Sequence, residues 1–109
     1  MTMTCLGRVN VTAPGTPVPL ATNPAITACK VFAQVIPGLT GKTYVGATSR
    51  LNKSTLAGVN RILAPNAAGS VSDSFYLESQ DGTDSLRLMD YSIDADVAGE
   101  GLLVTYWTE

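Results

Sequence analysis

Over most of the chain, hydrophobic and polar residues alternate with a period of two. That is the spacing of a strand with one dry and one wet face. Between Thr4 and Thr12, Cys5, Val9 and Val11 alternate with Leu6, Arg8 and Asn10, which predicts a first strand. Pro14-Gly15-Thr16-Pro17 ends it, since proline offers no N–H to a ladder. Val18 and Leu20 mark a short edge-like strand with Pro19 on its other face, and Asn23-Pro24 turns the chain. The strongest pattern runs from Ile26 to Ile36. Cys29, Val31, Ala33 and Val35 share one face, and Lys30, Phe32 and Gln34 the other. Phe32 on that second face predicts partial cover there too, by a sheet or a subunit. Pro37 to Gly41 form a turn, and Lys42 to Gly46 is expected to return as a hairpin partner.

From Ala47 to Ser72 the period is lost. Leu51, Leu56, Val59, Ile62 and Leu63 fit no template, and Ser, Asn, Gly and Pro punctuate the segment. It reads as a long excursion with one helical turn near Lys53 to Leu56. A loop of that length in a small domain is usually functional or partner-bound. Strands resume at Ser74 to Ser79, Leu86 to Leu88, Tyr91 to Val97 and Leu102 to Trp107, with turns at Asp81 to Asp84 and Ala98 to Gly101. About six to eight short strands without a long amphipathic helix predict an all-β fold. The expected architecture is an antiparallel β-sandwich, jelly-roll-like, with one long irregular excursion. Residues 1–109 form a single domain in this reading. Residues 1–7 are a candidate contact arm, and 47–72 are the excursion.

Composition sharpens this. With 109 residues, 45% of them hydrophobic, the chain can bury one modest core. Charged residues make up only 15%, against roughly 25% in typical soluble domains. Such a surface suits packing against neighbours, although a Ser/Thr/Asn-rich monomer would satisfy the same numbers. Every base but Arg87 precedes Asp73, and all nine acids lie at or after it. Opposite charge can be matched within the fold or between subunits in a head-to-tail ring. The bases are scattered, which argues against a nucleic-acid footprint. Neither a signal-peptide pattern nor a membrane span is legible, so no membrane partner is expected. Cys5 and Cys29 sit on strand-like segments. A buried, reduced pair is expected, with a cross-strand disulfide as the alternative.

The chain has no histidine. That excludes Ser–His–Asp and Cys–His nucleophile systems, and two cysteines alone cannot make a usual structural zinc site. Gly41-Lys42-Thr43 looks like the end of a phosphate loop. However, Ile36 stands where that motif needs glycine, and a strand follows where it needs a helix. Asp94 and Asp96 lie two apart and share a strand face; with Asp90 and Glu100 they are the candidates for a glycosidase pair or calcium ligands. The calcium-loop pattern is missing, and a solvated acidic face is the better reading. No catalytic, cofactor-binding or metal residue is assigned, no cofactor is expected, and the protein is read as not an enzyme. Tyr106 and Trp107 are adjacent and must point to opposite faces of their strand, one to the core and one outward. Outward tyrosine and tryptophan are favoured interface anchors. The candidate contact residues are Met1, Thr2, Met3 and Thr4 at the start, Leu51, Leu56 and Ile62 in the excursion, and Trp107.

Three stretches carry a resemblance. They are Gly7-Arg8-Val9-Asn10-Val11-Thr12 with Gly15-Thr16-Pro17-Val18-Pro19-Leu20; Phe32-Ala33-Gln34-Val35-Ile36-Pro37-Gly38 leading into Thr40-Gly41-Lys42-Thr43-Tyr44-Val45-Gly46; and Tyr91-Ser92-Ile93-Asp94-Ala95-Asp96-Val97 with Gly99-Glu100-Gly101. In this order they resemble small accessory virion proteins of tailed bacteriophages, above all capsid decoration (cement) proteins and head-fibre base domains. The resemblance implies a β-sandwich subunit, commonly a homotrimer, made in the host bacterial cytoplasm and seated on the outer capsid. There it would clamp neighbouring copies of the major capsid protein. It implies no catalytic residues. The alternative function is a receptor- or glycan-binding sandwich of a phage fibre or tail, since sugar-binding modules place aromatics along one sheet face.

Overall fold

A computed structural model of the protein describes residues 1–65 and 73–109. The strands are β1 (Thr2–Asn10), β2 (Val18–Pro19), β3 (Thr27–Ala28), β4 (Lys30–Val35), β5 (Thr43–Ala47), β6 (Val59–Leu63), β7 (Ser74–Glu78), β8 (Leu86–Arg87), β9 (Tyr91–Ala95) and β10 (Gly101–Thr108). A 3-10 turn, Leu88–Asp90, leads into β9. The first four-stranded sheet has the order β1-β10-β4-β7, and the second has β2-β9-β5-β6; β3 and β8 form a short separate ladder. All pairings are antiparallel. Apart from the β3–β8 ladder, every connection but β5–β6 passes from one four-stranded sheet to the other. That is the winding of an eight-stranded jelly roll, so the fold class expected from the alternation holds. No helix among the described residues is long and apolar enough to cross a membrane.

The core lies between the inner faces. Val31, Ala33, Val35, Phe75, Leu102 and Val104 come from the first sheet, and Val45, Leu63, Ile93 and Ala95 from the second. Leu20 and Leu88 join them from connecting segments. These are the apolar members of the alternating strands, and their burial supplies most of the driving force for the fold.

Several local expectations are corrected. The Ile26–Ile36 strand is interrupted at Cys29, whose N–H donates to the Trp107 carbonyl at 2.9 Å and whose carbonyl accepts from Ser79 N–H at 2.9 Å. β4 and β5 are not a hairpin, because they belong to different sheets. The Glu100 carboxylate holds the connection in its crossing path, accepting from Gly41 N–H at 2.8 Å and Thr40 N–H at 3.0 Å. Within the 47–72 excursion, β6 pairs with β5 across a bulge between Val45 and Gly46. Asn60, Arg61 and Ile62 are all exposed in succession, which is why no period of two was visible. The turn near Lys53 to Leu56 is not helical; Asn52 and Ala57 bridge across it, and the Asn52 side chain accepts from Ser54 and Thr55 N–H. The last part of the excursion, 66–72, lies outside the described residues.

Residues 1–7 are not a free arm either, since Thr2 to Gly7 pair with β10. A bulge between Cys5 and Gly7, with Gly7 at φ 93°, adds a residue and reverses which side chains face inward. Cys5 therefore points out while Val9 and Val11 point in, and the expected buried cysteine pair does not exist. Cys5 is exposed, Cys29 is buried, and both are free thiols.

Candidate interaction surface

Directly paired residues share a face, so the ladder registers define the outer face of the first sheet row by row. One row reads Met3, Trp107, Lys30 and Glu78; the next Cys5, Thr105, Phe32 and Tyr76; the third Arg8, Leu103, Gln34 and Ser74. Four strands spaced about 4.8 Å apart give a panel roughly 15–20 Å wide. Met3 is 58% exposed, Tyr76 48% and Leu103 42%. Phe32 and Trp107 are half-buried.

The charges of the panel sit in its outer rows and are occupied locally. Lys30 Nζ lies 4.0 Å from Glu78, the Tyr76 hydroxyl donates to Glu78 at 3.3 Å, and Arg8 Nε donates to Asn10 at 2.6 Å. The middle row carries no charge. An uncharged, aromatic centre with a charged rim is the anatomy of a protein-binding patch, because little ionic hydration is lost when it is covered.

The sequence-based contact residues fall on different sides. Met1 and Met3 are exposed, Thr2 is exposed, Thr4 is half-buried, and Trp107 lies on the panel beside Met3. Ile62 and Leu56 are exposed on the side of the second sheet and do not join that panel. Leu51 is a correction: it is 7% exposed, folded beneath its loop against the Gly46 position, and offers nothing to a partner. Tyr76, Thr105 and Leu103 complete the panel without being among the sequence-based contact residues; their alternation with Phe75, Leu77, Val104 and Leu102 is the signal that marks them as outward-facing.

The acidic residues do not form a solvated strand face. Asp94 is 1% exposed; one oxygen, Oδ1, accepts from Gly15 N–H at 3.0 Å and Ala95 N–H at 2.8 Å, while Oδ2 has no partner among the described residues. Asp96 lies past the end of β9 and pairs with Lys53 at 3.3 Å. Tyr44, whose hydroxyl donates to Asp96 at 3.3 Å, has its pKa raised by burial and by the neighbouring Asp96 and Asp94 charges. For Glu100, burial pushes the carboxyl up, but the Thr40 and Gly41 N–H groups, the Thr40 hydroxyl and the Arg8 charge outweigh it and hold the pKa below its ordinary value. These carboxylates fasten loops. Among the described residues, no three His, Cys, Asp or Glu side chains cluster as metal ligands.

Fold and surface together define an all-β sandwich with one sheet face open and poor in charge. No protein-family model, no curated protein and no solved structure matches the chain.

Proposed function

We propose that this is a structural, non-enzymatic protein that works by covering other protein surfaces with the outer face of its first sheet. In the particular form suggested by the sequence resemblance, it is a tailed-phage capsid decoration protein: a homotrimer on the outer head surface that clamps neighbouring major capsid subunits. The observation that carries the reading is the uncharged middle row Cys5, Thr105, Phe32 and Tyr76, open along one face of a rigid sheet. A clamp needs a broad, preformed contact area, and a jelly-roll sheet supplies one with little ordering cost.

The test is co-sedimentation of the purified protein with shells of the same phage's major capsid protein. Thr105→Lys puts an ammonium at the centre of the panel and is expected to abolish binding while leaving the circular dichroism spectrum unchanged. Full binding by a folded Thr105→Lys variant would refute the reading. One observation favours a second reading: Phe32, Tyr76 and Trp107 share this face, as aromatics of glycan-binding sheets do. Saturable oligosaccharide binding lost in Tyr76→Ala, without shell binding, would establish that alternative.

A further inference from the structure

We propose that β1 and β7, the two open edges of the first sheet, pair with each other between copies of this chain and join them head to tail. The proposal rests on the homotrimer reading above and names its interface.

The edges differ in how they are protected. β2 is two residues long, ends in Pro19 and is preceded by Pro17, which blocks strand addition. β1 is nine residues long, contains no proline and bears a single charge, Arg8. Among the described residues no strand pairs with the outer side of β1 or of β7.

Strand direction selects the partner edge. In an antiparallel sheet of four strands the two edges run in opposite directions. The β1 of a second copy therefore meets β7 antiparallel with neither copy inverted, and the rows of the outer face continue across the junction. Glu78 then lies beside the next copy's Met3, Tyr76 beside its Cys5, and Ser74 beside its Arg8.

Charge selects the same pairing. The groove along β1, ≈ 350 Å³, is lined by apolar Leu6, Val9, Val18 and Ile26, and among the described residues Arg8 is the only charged one that lines it. The depression beside β7, ≈ 480 Å³, is lined by apolar Leu77, Leu86 and Tyr91, and its charged residues are Glu78 and Asp81. One edge carries a base and no acid, the other acids and no base. Pairing β1 with a second β1 would bring two basic grooves together; pairing it with β7 sets Arg8 beside uncharged Ser74 and Glu78 beside uncharged Met3, so no like charges meet. A contact between two different edges is heterologous and closes into a ring when its rotation allows.

The experiment uses the full chain, with mass measured by light scattering and disulfide cross-linking under mild oxidation. Cys5 is the exposed thiol, and Cys29 is buried. Ser74→Cys, Tyr76→Cys and Glu78→Cys each place a second thiol on the outer face of β7. At least one of them is expected to give a non-reducing ladder ending at three chains, lost when Cys5→Ser is added; the wild type is expected to stay uncrosslinked. A trimeric wild type in which none of the three cross-links would overturn the edge pairing and leave the trimer standing. A Cys5–Cys5 dimer in the wild type would overturn it in favour of β1 self-pairing. A monomer at all concentrations would remove the trimer and this interface together.

Discussion

Glu100 offers the sharpest test of how the fold is held. Its carboxylate accepts from Gly41 N–H at 2.8 Å, Thr40 N–H at 3.0 Å and the Thr40 hydroxyl at 3.2 Å, and its backbone carbonyl accepts from Val11 N–H at 2.9 Å. One buried side chain thus ties the β4–β5 crossing to the β9–β10 turn. Hydrogen bonds to a charged group contribute about 1.5–3 kcal/mol each, but they are not additive, and water can reach exposed Thr40. Glu100→Ala should therefore cost about 2–3 kcal/mol, which for a domain of this size lowers Tm by roughly 10–20 °C. Glu100→Gln keeps one acceptor oxygen and should cost about 1 kcal/mol. The folded-state pKa of Glu100 is held below its ordinary 4.5. Its stabilisation is fully present above the unfolded value and is lost as pH falls through the folded one. Asp73 acts in the same direction below its ordinary 3.8, chiefly through Ala64 N–H. Thermal melts followed by circular dichroism between pH 7 and pH 3 should show an acid limb that is shallower in Glu100→Gln. A Glu100→Ala melt within about 2 °C of wild type at pH 7 would refute the clamp, and so would an acid limb unchanged in Glu100→Gln.

Three further outcomes are expected in the same assay. Leu56 holds φ 62°, a left-handed conformation costing about 1 kcal/mol for a residue with a Cβ; Leu56→Gly should raise Tm by several degrees, and a fall would show that its side chain packs more than its exposure suggests. Asp94→Asn should stay within about 1 kcal/mol of wild type because Oδ1, the oxygen in use, is retained, whereas Asp94→Ala strips the acceptor from Gly15 and Ala95 N–H and should cost about 2 kcal/mol; equal effects would refute the assignment. At Gly46 a Cβ would run into the Gly58 carbonyl oxygen; Gly46→Ala should cost about 3 kcal/mol or more, and a wild-type melt would mean that the 47–58 loop is not seated there.

The sandwich was legible because most of its strands alternate cleanly over their own length. Cys29, Val31, Ala33 and Val35, and Phe75 with Leu77, mark strands from their own spacing. What escaped is non-local. Nothing near Pro37 to Gly41 announces that the chain crosses to the other sheet; that path is set by Glu100, far along the sequence. The bulge at Leu6–Gly7 adds one residue, and that single residue moved Cys5 from the expected core to the surface. β6 was invisible because its outer residues and its inner ones follow no clean period. The outer panel was half legible: Phe32 on a wet face marks it, but its neighbours Tyr76 and Thr105 are brought beside it only by strand order, which alternation does not encode.

Hydroxyl-radical footprinting of the protein, free and bound to capsid shells, tests the outer-face reading most directly. Binding through the first sheet requires Met3, Tyr76 and Trp107 to lose reactivity on the shell, while Leu56 and Ile62 on the other side keep theirs. Met3 and Tyr76 as reactive on the shell as in solution, with protection at Leu56 and Ile62, would contradict it and move the contact to the second sheet.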